Sequence, residues 1–245
     1  MRLHRSPYAY VYVTVPVFRT ACVPCLCLPS FFHPQALLLS RYISRRYRFD
    51  FSGNGESEGE FGYGNYAKEA EDLGAALDAL QAEGLSVRAV FGHSKGAQVV
   101  LMHAARASMR HQALPYQMIV PLAARADVSG GVKERLGEER LRQIAETGEC
   151  FVAEASGRGY RVTKANLEER MNTDVLAEVA AIPPSLRVAL LHGDRDVTAP
   201  LSGARDLART IRGATLDVLP GDHFFEGPDR LRLLDRVTEL VLEGL

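Results

Sequence analysis

Strands and helices alternate along this 245-residue chain. At this spacing the alternation implies an α/β fold, a mostly parallel sheet flanked by crossover helices. Two further observations agree. The pentapeptide Gly92-His93-Ser94-Lys95-Gly96 lies between the apolar run Val87 to Phe91, broken only by Arg88, and the helix-compatible stretch Ala97 to Ala105. That is a strand–turn–helix unit. At the carboxyl end Leu231, Leu234, Val237, Leu240 and Val241 recur at helical spacing, the stripe of an amphipathic helix packed on a sheet. With 47% hydrophobic residues, the length suits one domain with a buried core.

The elements follow in order. Tyr8 to Val15 is rich in β-branched and aromatic residues and reads as a strand. Cys22 to Pro34 is apolar and proline-broken, and Gln35 to Arg45 has a helical pattern. A strand at Tyr47 to Phe51 leads into the glycine-rich loop Ser52 to Gly64. That loop lacks the lysine–serine pair of a phosphate-binding loop and is negatively charged, so its glycines are read as turns. A helix over about Asn65 to Glu83 precedes the strand before Ser94, and the helix after it runs to about Met109. A strand is expected at Gln117 to Leu122, then an insertion over about 127–183. Within the insertion, Lys133 to Thr147 and Lys164 to Ala180 read as charged helices, and Cys150 to Val162 as a hairpin around Ser156-Gly157. Leu186 to Leu191 and Ala214 to Leu219 are the last two strands, and no internal repeat appears.

The chemistry starts at Ser94. A serine held between a strand and a helix adopts a strained backbone, exposes its hydroxyl, and aims the next amide, that of Lys95, at the place where an oxyanion would form. A serine hydroxyl needs a base, and the base needs an orienting acid. Catalytic groups of open α/β sheets sit on loops beyond the carboxyl ends of strands. Two such loops carry the missing types, His192-Gly193-Asp194-Arg195-Asp196 and Pro220-Gly221-Asp222-His223. Asp196 is preferred to Asp194, which lies closer to the turn glycine and suits fixing the loop. Asp222 suits a turn cap, His192 a structural hydrogen bond and His93 a local contact. His103 and His111 suit solvated or core-edge places. His223 is the histidine in a strand-end loop near the carboxyl terminus.

The stretch Phe49-Asp50-Phe51-Ser52-Gly53-Asn54-Gly55-Glu56-Ser57-Glu58-Gly59 resembles a signature of the α/β-hydrolase superfamily. It is especially similar to small plant and algal serine-hydrolase esterases related to cinnamoyl and feruloyl esterases. The likeness continues through Tyr63 to Tyr66, Glu69 to Leu73, the Ser94 turn and His192 to Pro200, and Gly131 to Glu139 resembles that group's cap. The resemblance implies an α/β-hydrolase fold with a small helical cap over residues 47–245. It implies Ser94 as nucleophile, Asp196 as acid, His223 as base and the Lys95 amide as an oxyanion donor. The implied activity is hydrolysis of a carboxylic ester of a small or medium substrate through an acyl-serine intermediate. Thioester or peptide cleavage uses the same groups, and a non-catalytic ligand-binding or partner-binding protein is the alternative from another class.

Residues 1–46 depart from this pattern. The family ends an early strand in a His-Gly turn that brings the second oxyanion amide, and no His-Gly pair occurs here. The second donor is therefore unidentified, and the domain is expected to be truncated or altered at its amino terminus. Residues 1–49 hold seven arginines and no acid, leaving 22 of the 29 basic residues against all 30 acidic ones in residues 50–245. Such a head resembles an organellar transit sequence. A cytoplasmic location is expected, with plastid or mitochondrion as the alternative. No basic stripe suggests nucleic acid, and charges and prolines interrupt each apolar run short of a membrane span. Cys22, Cys25 and Cys27 lack a second ligand pair at zinc spacing, so thiols rather than a metal site are expected, and no cofactor is implied.

Overall fold

The computed structural model describes residues 10–15, 45–153 and 159–243, with side chains from residue 47 onward. The strands are β1 (Tyr10–Val15), β2 (Arg45–Arg48), β3 (Ala89–His93), β4 (Met118–Leu122), β5 (Glu149–Ala153), β6 (Gly159–Thr163), β7 (Arg187–Gly193) and β8 (Thr215–Leu219). The helices are α1 (Tyr66–Ala82), α2 (Lys95–Met109), α3 (Val132–Thr147), α4 (Lys164–Asn172), α5 (Val175–Val179), α6 (Leu201–Thr210) and α7 (Asp229–Glu243). One sheet has the order β2-β1-β3-β4-β7-β8, and β5 and β6 form a separate antiparallel ribbon. Strands β3, β4, β7 and β8 are mutually parallel.

Side chains alternate across a pleated strand, so each central strand feeds two cores. Val90, Ile119, Val188 and Leu190 pack with Leu73 and Leu77 of α1, Val99 of α2 and Leu207 of α6. Their neighbours Ala89, Met118, Val120, Ala189 and Leu191 pack on the other face with Leu233, Leu240 and Val241 of α7. Helix α2 is buried almost all round, as a central crossover helix must be. The stripe expected on α7 is shifted, because Leu231 is exposed and Leu233 takes its place against the sheet.

Residues between β4 and β7 build α3, β5, β6, α4 and α5 and a third small core. Val132, Leu136 and Ile144 meet Cys150, Val152 and Val162 there, together with Tyr63 from the glycine-rich loop. The single helix expected over Lys164 to Ala180 is two. Thr163 caps α4 by accepting from the Asn166 amide, and Asp174 caps α5 by accepting from the Ala177 amide, so a new start interrupts the helical pattern. The expected hairpin apex, Ser156-Gly157, lies outside the described residues.

Strand β2 ends at Arg48, so Phe49 to Phe51 of the expected strand are irregular. The larger difference is direction. β1 runs antiparallel to both of its neighbours, with Tyr10 opposite His93 and Thr14 opposite Ala89. Tyr, Val and Thr favour a pleated strand but do not choose its polarity, since antiparallel and parallel ladders both satisfy the backbone. The helix expected at Gln35 to Arg45 lies outside the described residues up to Tyr42, Ile43 and Ser44, and Arg45 opens β2. The cysteines at 22, 25 and 27 lie outside them too.

Candidate active site

Strand β3 delivers Ser94 at the turn into α2. Its backbone stands at φ 54 and ψ −118, a left-handed conformation that costs a side-chain-bearing residue about 1–3 kcal/mol. The Ser94 amide donates to the Leu122 carbonyl at the end of β4, which holds the turn on the neighbouring strand (2.9 Å). The turn is so tight that a Cβ on Gly92 would sit 2.1 Å from the Gly96 carbonyl oxygen, so that position takes only glycine. Lys95 is the first residue of α2, where a backbone N–H has no intrahelical partner and is open to an oxyanion.

The loops after β7 and β8 bring two side chains to this serine. His223 Nε2 lies 3.0 Å from Ser94 Oγ, and His223 Nδ1 lies 2.7 Å from Asp196 Oδ2. Asp196 is held from its other oxygen, which accepts the amides of Thr198 and Ala199 at 2.8 Å each. Burial pushes the Asp196 carboxyl up, but the hydrogen bonds from His223 and from those two amides outweigh it and hold the group below its ordinary value. Asp196 is therefore ionised at neutral pH. It fixes Nδ1 of the ring as the protonated nitrogen and leaves Nε2 to accept from the serine hydroxyl.

The rival groups are occupied elsewhere. Asp194 accepts the Gly221 amide (2.9 Å) and so ties the two loops together, while Asp222 accepts the Phe224 amide (3.0 Å) and caps its turn. His192 is buried, with Nε2 on the Ala199 carbonyl (2.9 Å) behind the Asp196 loop. His103 bonds the Tyr116 hydroxyl at 2.7 Å, at the edge of the core. His93 is not confined to a local contact. Its Nε2 meets the carbonyl oxygen of His223 at 2.8 Å, so it holds the His223 backbone in place. Burial, with the nearby His223 ring, lowers its pKa to about 4, which keeps it neutral and donating through Nε2.

Sequence patterning also passes over a set of buried polar groups beside the turn. Lys95 Nζ is 2.5 Å from Glu69 Oε1 on α1 and stands over the rings of Phe61 and Tyr66. Burial pushes the Glu69 carboxyl up and the Lys95 amine down, and their mutual contact opposes both shifts. Arg170 of α4 donates to the Tyr66 hydroxyl at 2.7 Å. A local signal existed: Glu69 lies one turn after Tyr66 on α1, facing the residue after the serine. Their meeting with Arg170 depends on an insertion folded back from 104 residues away.

A second oxyanion donor is not supplied from the carboxyl end of β1. Because Tyr10 pairs with His93, the chain leaves β1 at the end of the sheet away from Ser94. Residues 16–44, which follow β1, lie outside the described residues. Among the described residues no group of three or more His, Cys, Asp or Glu is placed to hold a metal ion, and no helix is long and apolar enough to cross a membrane.

No protein-family model and no curated protein matches the sequence. Solved structures do match. A candidate hydrolase from Agrobacterium vitis S4 superposes with a TM-score of 0.65 at 22% identity, over 85% of this chain and 80% of that one. Alpha/beta hydrolase domain-containing protein 10 from mouse gives a TM-score of 0.63 at 20% identity, over 98% and 97% of the two chains. Est1E from Butyrivibrio proteoclasticus, with ferulic acid bound, gives 0.55 at 20% identity, over 80% and 75%. The chain therefore has the α/β-hydrolase fold. At these identities the likeness extends to the fold and no further.

Proposed function

We propose that this protein is a serine hydrolase that cleaves a carboxylic ester through an acyl-serine intermediate. The observation that carries the reading is His223 standing between Ser94 Oγ and Asp196 at 3.0 and 2.7 Å. Ser94 Oγ attacks the ester carbonyl carbon while its proton passes to His223 Nε2. Asp196 stabilises the imidazolium, and the Lys95 amide donates to the oxyanion. Collapse of the tetrahedral intermediate breaks the bond to the alcohol, which leaves with the proton from His223. Water then attacks the acyl-serine with His223 as base, and collapse returns the proton to Ser94 and releases the acid. None of these steps needs a metal or organic cofactor. We assign the insertion over 127–183 the role of a cap. Hydroxycinnamate esters are the first substrates to try, from the sequence resemblance and from the ferulic acid bound in the Butyrivibrio fold relative.

The test is turnover of a short-chain nitrophenyl ester and of a feruloyl ester by the purified chain. The expected result is Ser94-dependent hydrolysis; hydrolysis that persists in Ser94→Ala would assign the chemistry to another group. A second reading, a ligand-binding protein with little turnover, is favoured by one observation, the direction of β1. With the Lys95 amide the one oxyanion donor identified among the described residues, the transition state is less stabilised, and each donor is worth about 10²–10³ in turnover.

A further inference from the structure

Three cations gather beside the Ser94 turn, and only one has a carboxylate partner among the described residues. Lys95 is paired with Glu69. Arg170, only 7% exposed, donates one N–H to a neutral hydroxyl, that of Tyr66, and its Nε has no partner among the described residues. Its guanidinium carbon stands over the Tyr63 ring at 4.8 Å and the Tyr66 ring at 5.6 Å. What remains unpaired is the Nε edge, itself buried. Arg125 spends its two terminal nitrogens on backbone carbonyls, those of Gly130 and Thr198. Asp127, on the same loop, turns its Oδ1 onto Ser129 and Gly130 while its charge still bears on Arg125, and Glu169, which lines a groove with Arg106 and Asn172, acts by its charge on Lys95 without forming an ion pair with it.

The two arginines belong to the site. The amide of Thr198, whose carbonyl Arg125 holds, donates to Asp196. Gln98, one turn along α2 from Lys95, donates to the Arg125 carbonyl at 3.0 Å. Lys95 and Arg170 share the Tyr66 ring. Helix α4 cannot drift from this place, because the chain at Gly64 passes so close that a Cβ there would lie 2.2 Å from the Asn166 carbonyl. A buried guanidinium without a paired carboxylate is costly to leave so. Burial first, and then the nearby charges of Arg170 and Arg135, push Arg125 below its ordinary pKa, while Tyr66 and Asp196 oppose the shift. A planar carboxylate presented to the unpaired edge of a guanidinium satisfies both the charge and the fork geometry.

Resting on the hydrolase reading, we propose that Arg170 and Arg125 form a carboxylate subsite, and that the preferred substrates are esters bearing a second, ionised carboxylate apart from the scissile bond. Tyr63, whose buried hydroxyl also lacks a partner, is placed to share in holding it.

The test compares 4-acetoxybenzoate with methyl 4-acetoxybenzoate, both followed at the released phenol. The unaltered protein is expected to favour the anionic ester in kcat/KM by about tenfold or more, the worth of one charge-assisted hydrogen bond. Arg170→Gln is expected to lower that ratio at least ~10-fold and Arg170→Lys to restore part of it. The ratio cancels any general loss of folded enzyme. Should Arg170→Gln not fold, benzoate and benzamide as competitive inhibitors of the unaltered protein read the same subsite, with benzoate expected to be the tighter by about tenfold. A ratio at or below one, a ratio untouched by Arg170→Gln, or equal inhibition by the two ligands overturns the subsite and leaves the hydrolase reading standing. No turnover of either ester, together with no labelling of Ser94 by a fluorophosphonate, removes the hydrolase reading and the subsite with it.

Discussion

Strands β3, β4, β7 and β8 run parallel, and three of the four end in a turn or loop that carries Ser94, Asp196 or His223. On the other side of β3 the sheet is built differently. β1 lies antiparallel between β2 and β3, and it approaches Ser94 with its first residue rather than its last. In an open parallel sheet the carboxyl ends of strands are the place where loops can converge on one point. Reversing one strand removes its outgoing loop from that point without disturbing the ladder. The parallel strands can therefore hold a hydroxyl, an imidazole and a carboxylate in line, while β1 turns its carboxyl end away from them.

The sharpest way to break this comparison is to remove the parallel half's nucleophile. Ser94→Ala is expected to lower kcat for a nitrophenyl ester at least ~10³-fold, and adding His223→Ala should cost little more, because the three groups act as a unit. Two separate, multiplying losses in steady-state kinetics would show that they do not.

Next in size is the other half. Replacing residues 1–46 with a segment carrying a His-Gly turn after a parallel strand should raise the rate by about one to three orders of magnitude, the worth of a second oxyanion donor. A native chain that already equals the chimera in a side-by-side assay would mean that another amide serves the oxyanion.

These two regions differed in legibility for a physical reason. Ser94, Asp196 and His223 sit where short, local signals converge: a G-x-S-x-G turn between a strand and a helix, and two strand ends followed by glycine and acid. Tyr10 to Val15 carries the composition of a strand and nothing that fixes its direction. Polarity shows in the pairing with β2 and β3, which is not written in six residues. The same limit hid His93 and Arg170. His93 bonds a carbonyl 130 residues away, and Arg170 a hydroxyl 104 residues away. The break at Thr173-Asp174 was missed for the opposite reason, since a local cap there overrode a longer helical pattern.

A smaller effect concerns acid. His93 and His103 both have folded-state pKa values lowered to about 4 by burial. The unfolded chain binds those protons first, near the ordinary histidine value. Stability is then complete above about pH 6.5 and declines as pH falls to 4, by on the order of 3 kcal/mol per group at most. The depressed Asp196 adds a loss in the same direction at lower pH. Urea midpoints measured between pH 7 and 4.5 should fall, and His103→Gln should flatten that fall; a His103→Gln curve parallel to that of the unaltered protein would contradict the assignment.

The smallest expected effect is that of Asp194, whose neighbour Asp196 serves as the contrast. Asp194→Asn keeps an acceptor for the Gly221 amide, so activity should stay within about fivefold and stability within about 1 kcal/mol. Asp196→Asn should lower kcat by about 10⁴-fold with the fold intact, because the ring then takes the wrong tautomer. Reversed magnitudes would reassign the acid.

The central claim is that the parallel half of the sheet, by itself, makes Ser94 a reactive nucleophile. Labelling the purified chain with a fluorophosphonate and mapping the modified peptide by mass spectrometry tests it most directly. The account predicts stoichiometric modification at Ser94 that is lost in His223→Ala. A folded chain that takes no label, or takes it at another residue, would contradict it.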